Sequence, residues 1–139
     1  MGAGALDISA AIINTALHGR GPVLVLQSVA GGLLGRQAYQ GGLKTAALGL
    51  VLHFLIATTW TTIYYVASNW FRVLAKQPLI YGPLYGIAVY LFMYGVVMRL
   101  SALHFKFFTQ SGTGILTAVL IHIFCVGLPI ALVVRRYSN

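Results

Sequence analysis

The stretch Thr45–Ser68, TAALGLVLHFLIATTWTTIYYVAS, decides the fold class of this chain. It runs for 24 residues without a formal charge. At about 1.5 Å per helical residue, it can cross a hydrocarbon layer about 30 Å thick. One ionisable side chain, His53, lies near its middle. Because an ionisable group is costly at that depth, His53 indicates a functional position.

The composition of the whole chain also indicates that lipid, and not water, surrounds most of it. Of 139 residues, 59% are hydrophobic and 7% are charged, against about 25% charged residues in soluble domains. The net charge is +8, but the Lys and Arg residues are dispersed between the apolar runs. This dispersion is typical of anchoring in a lipid bilayer and argues against nucleic acid as a partner.

The apolar pattern predicts a single transmembrane domain over residues 1–139, an all-α membrane bundle of four transmembrane helices. A fifth apolar run is too short to cross, so it predicts a short interfacial or re-entrant helix at about 22–35. The four predicted spans are about 2–17, 45–68, 79–98 and 113–134. The second span and the connector after it carry aromatic residues typical of a membrane–water interface: Trp60, Tyr64, Tyr65, Trp70 and Phe71.

Four polar side chains from four different spans fall at one depth in this topology. His53 follows Lys44 by nine residues, and His122 follows Thr113 by nine. Both imidazoles therefore lie about 13 Å into the membrane. The same count from the other connectors adds two hydroxyls, so the candidate mid-membrane polar layer is His53, His122, Tyr90 and Ser9.

Three interpretations of this layer remain open. The histidines can be structural, sharing hydrogen bonds with hydroxyls or backbone carbonyls. They can form a path for protons or a small solute, because imidazole titrates near neutral pH. They can also be a pair of axial ligands to haem b, because His53 and His122 lie on separate helices at equal depth. No other cofactor and no other metal is predicted.

Two further features are assigned to packing. Asp7 is the only acidic residue, and it is predicted to enter from the opposite face. Its expected ion-pair partners are Arg72, Lys76 or Arg135. Gly82 and Gly86 form a GxxxG pair, which allows a neighbouring helix to approach closely and is expected to serve packing inside the chain.

No catalytic constellation is visible in the sequence. There are no paired carboxylates and no glycine-rich phosphate loop ending in Lys, so an enzyme acting alone is not expected. The single cysteine, Cys125, lies inside an apolar run and is interpreted as a small buried hydrophobe.

Several strings resemble a known group of proteins: LDI at 6–8, VLQSVAGGLLG at 25–35, AALGLVLHFLIA at 46–57, PLIYGPLYGIAVYLFM at 78–93 and RLSAL at 99–103. They are similar to uncharacterised, YagU-like bacterial inner-membrane proteins with about four hydrophobic spans. The resemblance implies a multi-pass protein of the bacterial inner (cytoplasmic) membrane. It implies no activity and no functional residue.

The sequence therefore favours a non-enzymatic accessory or scaffolding subunit of a membrane complex, with other membrane-protein subunits or further copies of itself as partners. The alternatives are a bundle that transports protons or a small solute through the mid-membrane histidines, and a haem b carrier.

Overall fold

The computed structural model describes residues 2–103 and 111–137, and the regular elements in those ranges are all helical. The predicted all-α class is confirmed. The helices in chain order are α1 (Gly2–Leu17), α2 (Pro22–Leu34), α3 (Gly42–Trp70), α4 (Val73–Lys76), α5 (Pro78–Leu100) and α6 (Gly112–Tyr137). A short 3₁₀ segment, Gly35–Gln40, joins α2 to α3.

Three of these helices, α3, α5 and α6, are long and apolar enough to cross a membrane. They correspond to three of the four predicted spans. The fourth predicted span is α1, a shorter apolar helix of 16 residues. It runs antiparallel to α3, and Gly4 lies against Phe54 and Ala57. At about 1.5 Å per residue, α1 therefore accompanies only part of the length of α3.

The short helix α2 packs across the first turns of α3. It begins at Pro22 and ends at Gly35, which adopts φ 65°. The buried Gln27 side chain donates a hydrogen bond to the Gly42 carbonyl (3.1 Å). About two turns further along α3, Gly49 lies directly against the backbone of Leu26. These contacts place α2 at the end of the bundle where α3 begins.

The tightest helix contact joins α5 to α6. A Cβ atom on Gly82 would lie 3.0 Å from the Leu128 Cα atom, and one on Gly86 would lie 2.8 Å from the Ile123 Cα atom. On the other side of the crossing, a Cβ atom on Gly127 would lie 2.8 Å from the Gly86 Cα atom. The GxxxG pair of α5 therefore lies in a backbone-to-backbone crossing, which is the use that small residues have in membrane helices.

Aromatic side chains extend this contact to α3. Tyr64 is 1% exposed and donates to the Leu74 carbonyl (3.0 Å), while Tyr85 donates to the Trp60 carbonyl (2.6 Å). The expectation that this aromatic group lies at the level of the membrane interface stays a prediction, and the structure adds which way its members face. Trp60 and Tyr64 turn inward toward Tyr85, whereas Tyr65 is exposed.

Candidate functional site

Asp7 brings the two predicted histidines together. Its Oδ2 atom lies 3.9 Å from the His53 Nε2 atom, and its carboxylate also interacts electrostatically with His122. The His53 and Asp7 side chains are 11% and 21% exposed. Helices α1, α3 and α6 therefore each contribute one ionisable side chain to one place, which we call the Asp–His site (Asp7, His53 and His122).

The hydrogen bond of His53 fixes where its proton lies. His53 Nε2 is 2.9 Å from the Gly4 carbonyl oxygen. Because a carbonyl can only accept, Nε2 carries a hydrogen in this contact. The Asp7 Oδ2 atom lies 3.9 Å from the same nitrogen, so a small movement would shift the hydrogen bond of His53 from the Gly4 carbonyl to the Asp7 carboxylate. Gly4 makes this contact possible, because its missing side chain lets α1 approach Ala57 closely.

His122 lies at a local widening of α6. A π-helical turn spans His122–Gly127 and is followed two residues later by Pro129, which has no N–H to donate and cannot continue a regular α-helix. The His122 Nδ1 atom donates to the Ala118 carbonyl (2.8 Å), so Nε2 is the ring nitrogen with a free lone pair in the neutral imidazole. π-Helical turns of this kind occur frequently at functional sites.

Two tyrosine rings enclose the His122 imidazole. The Tyr90 ring centroid lies 5.5 Å from it and the Tyr94 centroid 6.2 Å, both in edge-to-face orientation. Tyr90 is 2% exposed. The structure therefore brings Tyr90 and His122 together, as the depth argument predicts. It adds Tyr94, which the sequence analysis missed although it lies one helical turn after Tyr90.

The predicted polar layer loses its fourth member. Ser9 is exposed, while its neighbour Ile8 is buried. Equal depth gave no information about which way the side chain faces, and α1 turns Ile8 inward and Ser9 outward.

The predicted partners of Asp7 are also corrected. Across residues 2–103 and 111–137, the ion pair found for Asp7 joins it to His53, and Arg72, Lys76 and Arg135 take no part in it. The reason is the position of α1. The contact of Gly4 with Phe54 and Ala57 holds Asp7 beside His53, in the middle of α3, whereas Arg72 and Lys76 follow the end of that helix.

The geometry fits haem b poorly. A haem iron would need a ring nitrogen from each histidine, yet His53 Nε2 is held by the Gly4 carbonyl and faces Asp7. Within the described ranges, no group of three or more His, Cys, Asp or Glu side chains could hold a metal ion.

A polar cavity opens where α1 ends and α6 begins. Its volume is about 440 Å³. It is lined by Asn14, Thr15, His18, Arg20, Ser111, Thr113, Gly114 and Thr117. Ser111 caps α6 by accepting a hydrogen bond from the Gly114 N–H (3.2 Å). Hydroxyl and amide groups at this end of an otherwise apolar bundle indicate a place where water enters.

Comparison with known proteins gave no match: no family model, no curated protein and no solved structure matches the chain.

Proposed function

We propose that this chain is a multi-pass protein of the bacterial inner membrane that carries protons through the Asp–His site. Three helices with the length and apolarity of membrane spans support the membrane assignment. The resemblance of its sequence strings to inner-membrane proteins supports the particular membrane. In this proposal α1 is the fourth membrane helix and α2 lies at the interface.

The observation that carries the proposal is the ion pair of Asp7 with His53 at 3.9 Å, together with the electrostatic interaction of the same carboxylate with His122. Ionisable residues inside a membrane bundle face its interior and mark ion or proton pathways. A purely structural histidine needs only a backbone or hydroxyl partner, which His53 and His122 already have. The carboxylate goes beyond that need and gives the proton a third position.

The chemistry follows from the hydrogen positions. A proton arriving at His53 Nδ1 makes the ring an imidazolium, which then releases its Nε2 proton to the Asp7 carboxylate. His53 is left neutral with its proton on Nδ1, and Asp7 is a neutral carboxylic acid. Asp7 passes the proton on to His122 Nε2, which restores the carboxylate. No enzymatic activity is part of this proposal.

The test is proton flux into liposomes that contain the purified protein and a pH-sensitive dye. Asp7→Asn keeps the size of the side chain and one acceptor oxygen but cannot accept the proton. We expect the flux to fall at least tenfold. Ser9→Ala is the matched control on the same helix, because Ser9 is exposed, and it should leave the flux unchanged. Equal flux in wild type and Asp7→Asn would overturn the proposal.

The accessory-subunit role predicted from the sequence stays a prediction. It requires a surface that holds a second protein, and it is tested by the mass of the complex extracted in mild detergent. A particle that contains only one copy of this chain would contradict it without affecting the proton proposal.

A further inference from the structure

Asp7 and Asn14 share one face of α1, with His18 one turn beyond. The intervals of seven and four residues place these side chains in line along the helix. Asn14 and His18 line the polar cavity, while Asp7 belongs to the Asp–His site. The axial distance from Asn14 to Asp7 is about 10 Å.

Helix α6 provides the opposite wall of the cavity. Thr113 and Thr117 line the cavity, and His122 follows Thr117 by five residues. Thr117 is about 8 Å from His122 along the axis. The two helices that enclose the cavity are thus the two that carry Asp7 and His122, and their polar residues lead inward from the same end.

We infer that the cavity is the water-filled vestibule through which protons reach the Asp–His site from one face of the membrane. The inference rests on the proposed function and adds the side and route of entry. A volume of about 440 Å³ holds several water molecules, and the polar lining supplies the partners that such waters need. The vestibule lies on the face that carries the His18–Gly42 connector.

The charges at the vestibule favour protons over metal cations. The cation Arg20 and the titratable His18 line it. His18 Nδ1 donates to the Asn14 carbonyl (2.7 Å), so Nε2 is the nitrogen that exchanges protons with the water. At the inner end, the titratable groups that interact with Asp7 are His53, His122 and Cys125. A fixed positive charge at the entrance repels metal ions, whereas a proton moves between water and imidazole by exchange.

The test measures water access by thiol labelling. In a Cys125→Ala background, Thr117→Cys is treated with a membrane-impermeant methanethiosulfonate, once in intact cells and once in inverted membrane vesicles. Leu116→Cys is the matched control, because Leu116 is the neighbouring apolar residue and is 60% exposed on the outside of the bundle. A thiol in water ionises and reacts, whereas a thiol in lipid does not.

We expect Thr117→Cys to react at least tenfold faster than Leu116→Cys, and from one face alone. Equal rates at the two positions, or labelling of Thr117→Cys from both faces, would overturn the inference. An anionic reagent should react at least fivefold faster than a cationic one, because the Arg20 charge attracts the anion and repels the cation. Arg20→Gln should remove most of that preference, and a faster cationic reagent would contradict the assigned charge.

The labelling experiment and the flux experiment can give independent results, so they test the vestibule and the proposed function separately. Thiol labelling needs no proton transport, so Asp7→Asn should leave the Thr117→Cys rate unchanged while it lowers flux. Labelling from one face together with no flux in any variant would support the vestibule and reject the proposed function. Flux that depends on Asp7 together with unlabelled Thr117→Cys would support the function and reject this route.

Discussion

Helix α6 has two different sides. Toward α5 its backbone touches the partner backbone at Gly82, Gly86 and Gly127, a contact that leaves no room for water. Elsewhere its first turns line a polar cavity, and its His122 ring, which lies between Tyr90 and Tyr94 of α5, interacts electrostatically with the Asp7 carboxylate of α1. One side holds the bundle together through close packing, and the other keeps polar groups in reach of one another.

The difference shows how a small membrane protein separates stability from chemistry. In lipid there is no hydrophobic force between helices, so stability depends on close packing and hydrogen bonds. The glycine crossing supplies that packing within a few turns of α5 and α6. The opposite side of α6 can then carry ionisable groups, which cost stability when they are placed in apolar surroundings. We expect substitutions on the two sides to affect different measurements.

The largest effect on stability is predicted at Gly86. A Cβ atom there would lie 2.8 Å from the Ile123 Cα atom, so Gly86→Ala forces the two backbones apart. We expect a loss of about 2–3 kcal/mol, the upper range for overpacking, measured by thermal unfolding in detergent. Gly95→Ala is the control on the same helix, because nothing lies within 4 Å of its added Cβ atom. A Gly86→Ala protein as stable as Gly95→Ala would show that the crossing is not close-packed.

The polar side is tested by His122→Phe. Phenylalanine keeps a ring between Tyr90 and Tyr94 but removes the nitrogen that accepts a proton. We expect proton flux in liposomes to fall about tenfold, which corresponds to about 1.4 kcal/mol on the barrier. The unfolding temperature should change far less than in Gly86→Ala. A protein that loses stability but keeps its flux would reverse the roles assigned to the two sides.

The sequence allowed the helices to be predicted, because length and apolarity depend on the chain alone. The spans at 45–68, 79–98 and 113–134 lie inside the observed helices α3, α5 and α6. Depth could also be counted, and it placed Tyr90 at the level of His122. The direction in which each side chain points could not be predicted in this way, because it depends on which neighbouring helix lies beside it. Ser9 was assigned to the polar layer although it faces outward, for this reason.

Asp7 shows the same limit in a different form. Its sequence position suggested cations near the opposite face, because a carboxylate near the start of a span was expected to lie near that surface. In the structure, α1 lies beside α3 in a register that places Gly4 against Phe54 and Ala57. The same register places Asp7 beside His53. A register between helices is set by side-chain fit across the interface, which one sequence does not reveal. Gly4, two residues before the LDI string at 6–8, was the available signal, since a small residue indicates that another helix can approach closely.

The smallest predicted effect concerns the aromatic group that joins α3 to the close-packed side. Tyr85 donates to the Trp60 carbonyl at 2.6 Å, and its ring meets both Trp60 and Tyr64 edge-to-face. Tyr85→Phe keeps the ring contacts and removes one hydrogen bond, so it should cost about 1 kcal/mol and leave flux unchanged. Tyr65→Phe, on the exposed side of α3, should cost nothing measurable by thermal unfolding. If Tyr85→Phe lowered flux as well, the aromatic group would belong to the proton path. The separation of packing residues from proton-carrying residues would then not hold for this group.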